Sequence, residues 1–148
     1  MKKITPILFI TFTLNYLFPH CQVPCGIYDD VARIVTIHED IQTIQKSINM
    51  INELSYGETS AKSMNQLVRW VNTKEEHATK IQETVSSYFL AQRIKPKKKG
   101  ESGRQVYVNQ TLLLQQLIVA AMKCKQNVDQ EKCQVALDLV VEFSISYF

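Results

Sequence analysis

Isoleucines recur along the first third of the chain with a helical beat. Ile34, Ile37, Ile41, Ile44, Ile48 and Ile51 are spaced by three and four residues in turn, which puts them on one stripe of an amphipathic helix. Asp29 and Asp30 stand before the stripe as N-cap residues, so the pattern predicts a first helix over 30–54. Ser55 to Ser60, with Gly57 inside, is the break. A second stripe, Met64, Leu67, Val71, Ala78, Ile81, Val85 and Tyr88, predicts a longer helix over 60–93, with Lys74 in one core-spaced place. Pro96, Gly100 and Gly103 end it in the loop KPKKKGESGR.

A third helix is expected from about Val106 to Cys124, with Leu112, Leu113, Leu117, Ile118, Ala121 and Met122 apolar. A fourth is expected from about Gln130 to Tyr147, carrying Ala136, Leu139, Val140, Phe143 and Tyr147. Short connections and one apolar face per helix predict an all-α four-helix bundle. Each stripe reads as core, not as a cofactor box.

Composition narrows the class. With 148 residues, 45% of them apolar and only four Gly and four Pro, the chain has material for one globular core and is neither disordered nor turn-rich all-β. The 17 basic and 14 acidic residues become 15 and 14 once the first 19 residues, with two lysines and no acid, are set apart. A body so near neutrality gives no case for nucleic acid as a partner.

Those first 19 residues, MKKITPILFITFTLNYLFP, read as a cleavable leader. The uncharged run is shorter than the roughly 20 apolar residues that span a bilayer. Leu17 and Pro19 are not the small residues a general signal peptidase prefers, so a cut before His20 points to a dedicated maturation peptidase. Export, to a periplasm or outside the cell, is the expected destination, with a cytoplasmic protein carrying a processed pro-peptide as the alternative. After processing no membrane association is expected. The expected organisation is a leader over 1–19, a metal-binding hook over 20–28 and the bundle over 29–148.

The four cysteines fall into two close pairs. Cys124 and Cys133 flank the predicted turn between the third and fourth helices, where a helical hairpin brings its ends within disulfide reach. In an oxidising compartment that pair is expected to bond; half-buried free thiols are the other reading. Cys21 and Cys25 lie in His-Cys-Gln-Val-Pro-Cys-Gly-Ile-Tyr, residues 20–28. A cut before His20 exposes an α-amine beside an amide nitrogen, two thiols and an imidazole. The amine and the Cys21 amide nitrogen form a five-membered chelate ring with a metal, the Cys21 thiolate a second ring, and Cys25 closes the fourth position. Two nitrogens and two sulfurs in a plane suit Ni(II) or Cu(II). Pro24 restricts the chain between the sulfurs and Gly26 relieves the tight exit.

This stretch resembles the N-terminal hook of nickel-dependent superoxide dismutases. His20, Cys21, Pro24, Cys25, Gly26 and Tyr28 match the family pattern H-C-x-x-P-C-G-x-Y in full. The leader directly before His20, the helical body and the segment Lys74 to Ala78, K-E-E-H-A, are also similar to that family. The resemblance implies a nickel ion held by the His20 amine, the backbone nitrogen and sulfur of Cys21, and the sulfur of Cys25. It implies an axial His20 imidazole on the oxidised metal, and Tyr28 beside the open face, ordering superoxide or its water. It further implies a homohexamer.

Gln22 departs from the acidic residue of some members. The residue that orients the His20 imidazole is expected to be Glu39 or His77, with His38 and Arg69 as the alternatives. The loop from Lys95 to Lys99 either attracts a small anion or is an ordinary solvated connection. Two other functions fit the same residues: a secreted helical binding protein with a Cys21–Cys25 disulfide, and a nickel or copper carrier without turnover.

Overall fold

The structure, a computed structural model, describes residues 24–148. Four helices run in chain order: α1, Asp30–Tyr56; α2, Ala61–Glu83, continued without a break by a π-helical segment, Thr84–Arg93; α3, Arg104–Gln126; and α4, Gln130–Tyr147. No strand occurs among the described residues. The all-α four-helix bundle is therefore as expected, and α4 has the expected bounds.

Local chemistry starts each helix. Asp29 accepts a hydrogen bond from the Ala32 amide and Asp129 one from the Glu131 amide, each satisfying a free N–H of a first turn. Ser60 and Ser63 cap α2 reciprocally, side chain to backbone in both directions. α3 begins earlier than its apolar pattern, at Arg104, because Gly103 takes a left-handed backbone (φ +77°) that turns the chain into the helix.

The helices run alternately up and down. Asp30 bonds to Arg93 and Asp40 to His77, so α1 and α2 are antiparallel. Gln82 bonds to the Ile118 carbonyl and Gln110 to the Ser146 carbonyl, which fixes α2 against α3 and α3 against α4. Asn52 donates to the Val128 carbonyl, and Gln130 to Gln45 O and Asn49 Oδ1, tying the start of α4 to α1. Ile37, Ile41, Ile44 and Ile48 are all buried, facing Ala78, Ile81 and Val85 of α2, Leu114 and Leu117 of α3, and Ala136, Val140 and Phe143 of α4.

Two apolar expectations fail locally. Met64 and Val71 are exposed and Leu67 only half-buried, so the core face of α2 begins at Lys74. Lys74 donates to the Cys124 and Lys125 carbonyls at the end of α3. The earlier turns of α2 therefore project past the end of that helix. On α3, Leu112 and Met122 face outward, while Leu113, Leu114, Leu117, Ala120, Ala121 and Cys124 face the core. A run of three leucines fixes no register by itself, and packing chose it.

Lys74 is buried where an apolar residue was due. Its ammonium meets carbonyls that have no partner within α3 and sits at the negative end of that helix, while Glu75 Oε1 lies 3.0 Å away. The buried charge is thus fully hydrogen-bonded, the condition under which such burial is tolerated.

Candidate metal centre

Cys25 and Tyr28 lie immediately before α1, at the end of the bundle where α1 starts and the π-helical segment closes. Cys25 is exposed to solvent. Gly26 follows with φ +78°, a left-handed conformation that a Cβ would strain, so the chain turns sharply between the thiol and the helix. His20 and Cys21, which the sequence predicts as the other two metal-ligand residues, lie outside the described residues.

Tyr28 is held from three sides. The Arg93 guanidinium carbon stands 4.3 Å from the centre of its ring, the Tyr88 ring meets it edge-on at 5.8 Å, and its hydroxyl donates to Gln92 Oε1 at 3.4 Å. About a third of its surface stays open to solvent, at 38% exposure. Tyr88, Gln92 and Arg93 all belong to the π-helical segment. There the Ile94 amide reaches back five residues to the Phe89 carbonyl at 2.8 Å, and the wider turn brings Tyr88, Phe89 and Gln92 inside together. The sequence expectation of a plain helix through Arg93 missed this, since neither proline nor glycine marks the change.

Beneath Tyr28, one carboxylate gathers the ends of three elements. Asp30, the first residue of α1, accepts from Arg93 Nε at 2.8 Å and Nη2 at 2.6 Å, from the Tyr88 hydroxyl at 2.6 Å and from the Tyr147 hydroxyl of α4 at 2.9 Å. Burial works against ionising Asp30, but the hydrogen bonds from Arg93, Tyr88 and Tyr147 outweigh it and hold the carboxyl below its usual range. The reciprocal effect appears on its partners. Burial, then the bond to Asp30, pushes the Tyr88 hydroxyl up to about 12, and Arg93 is held more firmly charged. Below this knot, Phe89 packs edge-on against Phe143 and Tyr147, at 5.1 and 5.7 Å. The platform under Tyr28 is therefore rigid.

A cavity of about 290 Å³ opens beside Pro24, lined by Arg33, Glu83, Thr84, Ser87 and Tyr88, with the Arg33 guanidinium 5.3 Å over the Tyr88 ring. A larger cleft of about 390 Å³ between α3 and α4 has Lys123 as its only ionisable lining group, and it lies on another face. Among the described residues no three His, Cys, Asp or Glu side chains come together as a metal set. An exposed thiol before a tight glycine turn fits one corner of the four-donor plane that the sequence predicts, whose other three donors belong to residues 20 and 21.

The His20 imidazole lies outside the described residues, and the residues considered for orienting it stand apart from Tyr28. His77 Nδ1 lies 2.6 Å from Asp40 Oδ1, and Asp40 is ten residues along α1 from Asp30, about 15 Å at the helical rise. Glu39 and Arg69 are exposed on the outer faces of α1 and α2, and His38 is half-buried between Ile37 and Glu39. None of the four contacts Tyr28. Sequence reasoning did not single out Arg93, Asp30, Gln92 and Tyr88, the residues that do surround it; Asp30 and Tyr88 had been read only as cap and stripe.

A helical bundle with a thiol-bearing turn beside an anchored tyrosine at one end fits the metal-binding segment that the sequence predicts over residues 20–28. The family model of nickel-containing superoxide dismutase matches residues 17–148, and the chain belongs to that family. It is a nickel-type superoxide dismutase, with nickel as its cofactor and superoxide as its substrate. Comparison with curated proteins and with solved structures gave no significant match. Neither the binding-protein nor the carrier reading finds support.

Proposed function

We propose that the chain is cut before His20 and that the His20 amine and imidazole, the Cys21 backbone nitrogen and thiolate, and the Cys25 thiolate would hold nickel. Bound there, nickel supplies a one-electron Ni(III)/Ni(II) couple, favoured by the charge that two thiolates and an ionised amide donate. Two superoxide ions and two protons then give dioxygen and hydrogen peroxide. The chain's part would be to hold those donors together and to keep Tyr28 beside them. Tyr28 orders the anion or its water through its hydroxyl without ligating the metal. Arg93 and Tyr88 hold that ring while Asp30 holds both of them.

The observation that carries this reading is the position of Cys25. It stands exposed three residues before a tyrosine that is fixed by contacts from the π-helical segment. The loop from Lys95 to Lys99 begins two residues after Arg93, so a cation-rich rim adjoins the same end and raises the local concentration of a small anion. Met64, Val68 and Val71 form an exposed apolar row on α2; such a row supports assembly of several copies, and we take the assembly to be a homohexamer. Maturation by a dedicated peptidase, and an exported location, complete the reading.

The test is at the amine. Adding one residue before His20 moves the α-amine out of the chelate ring, and dismutation should be lost while helical circular dichroism stays unchanged. An extended chain that still dismutates superoxide at the parent rate refutes the ligand set. Native N-terminal sequencing with metal analysis should find His20 first and one nickel per chain.

A further inference from the structure

The second cysteine pair stands apart from this centre. Cys124 lies in the last turn of α3 and Cys133 in the first turn of α4, and the turn between the helices folds them together. The Cys133 thiol donates to Cys124 Sγ across 3.7 Å, and both side chains are buried. Fourteen residues of α4 separate Cys133 from Tyr147 at the Asp30 knot, about 21 Å along the helix, so the metal chemistry does not use this pair.

The surroundings make the two thiols unequal. Lys74 fixes a full positive charge at the end of α3, donating to the Cys124 carbonyl at 2.9 Å. The hydrogen bond from Cys133 favours ionising Cys124, burial opposes it, and Lys74 adds to the first effect; the net shift is downward. For Cys133 the same hydrogen bond and burial both push upward. A cleft lined by Val71, Lys74, Glu75 and Asn127 opens onto this helix end beside Lys74. Inert core cysteines need neither mutual contact nor a fixed cation beside them.

We propose that Cys124 and Cys133 are an oxidation site for hydrogen peroxide, with Cys124 as the attacking thiolate and a disulfide across the α3–α4 turn as the product. Cys124 Sγ attacks one peroxide oxygen and the O–O bond breaks, leaving a sulfenic acid and a hydroxide that takes up a proton. The sulfur of Cys133 then attacks the sulfenic sulfur, forming the S–S bond and releasing water with the Cys133 proton. In sum two thiols are oxidised by two electrons and one peroxide is reduced to two waters. That the protein itself generates the peroxide rests on the dismutase function; the reactivity of the site does not. The bond closes a short loop at the far end of the hairpin from the Asp30 knot, and a ten-residue loop raises the melting temperature of a domain this size by about 10 °C.

The test uses reduced, nickel-loaded protein and hydrogen peroxide added directly, with thiols blocked before peptide mapping. The peptides carrying Cys124 and Cys133 should appear joined and two hydrogens lighter, with the higher melting temperature, and dithiothreitol should reverse both changes. In Cys133→Ser, dimedone should trap a sulfenic acid on Cys124. In Cys124→Ser, Cys133 should give no adduct on the same timescale, and Lys74→Met should slow the wild-type reaction severalfold. A pair that remains fully alkylatable at a peroxide dose that oxidises the hook thiols overturns the proposal, as does equal trapping of Cys133 in Cys124→Ser. A parallel sample receives superoxide in place of peroxide, with and without catalase. If the dismutase function fails but the site is real, the pair oxidises under added peroxide and no faster under superoxide than superoxide's spontaneous decay explains.

Discussion

Replacing Asp30 with asparagine removes one charge from the point where three elements meet. The carboxylate accepts four hydrogen bonds, two from Arg93 and one each from Tyr88 and Tyr147. Hydrogen bonds to a charged group contribute about 1.5–3 kcal/mol each, and stripping one partner from a buried ion pair costs about 3–5 kcal/mol. Asparagine keeps one acceptor oxygen for the tyrosines but turns an amide toward the guanidinium. Arg93, at 29% side-chain exposure, recovers part of its loss from water. The expected cost is about 3 kcal/mol, roughly a hundredfold in the unfolding constant and about 10 °C in melting temperature. Urea melts followed by circular dichroism at pH 7, under reductant, give the value directly.

The pH dependence has a definite sign. Because the native state holds the Asp30 carboxyl below its ordinary value of 3.8, its contribution is present above that value and is lost as pH falls through the lower native one. The gap between wild type and Asp30→Asn should therefore narrow in acid. A gap under 1 kcal/mol at neutral pH, or one unchanged down to pH 2.5, would refute the assignment of Asp30 as the organiser of this end.

At the other pH extreme, the Tyr88 hydroxyl should titrate near 12, later than a free phenol at 10.0. The stability it lends is complete below 10 and disappears as pH rises through 12, so ultraviolet titration of wild type against Tyr88→Phe should show one late phenol missing from the variant. Lys74→Met leaves the Cys124 and Lys125 carbonyls without their cation; the loss should be about 2 kcal/mol in urea melts, and an unchanged midpoint contradicts the capping role. Changing Lys95, Lys97, Lys98 and Lys99 to glutamine should lower the second-order rate with superoxide severalfold at low salt. The variant and parent rates should meet at about 1 M salt, where screening acts within about 3 Å, and a difference that persists there means the lysines act otherwise than through their field.

Much of the architecture was legible from the chain alone. The isoleucine spacing of the first helix, the cap at Asp29 and the glycine-marked breaks are local signals, because helix phase and capping act within a few residues. The hook was legible for the same reason: a chelate built from adjacent atoms of one short peptide is a property of sequence order. What sequence could not settle were contacts between distant segments. The sequence pattern put Leu112 in the apolar stripe and left Leu114 out, and packing against α2 and α4 reversed the two, while Met64 and Val71 kept a core pattern without a neighbour to bury them.

Lys74, an exception within a stripe, proved to be the cap of a helix fifty residues away. The π-helical widening and the Asp30 knot lay beyond the sequence altogether, since each depends on side chains that meet from separate helices. The order of residues set which donors can chelate a metal and how the helices are phased. Tertiary packing decided which tyrosine stands over which arginine and which carboxylate holds them both, because those energies exist only when distant chain segments share the same space.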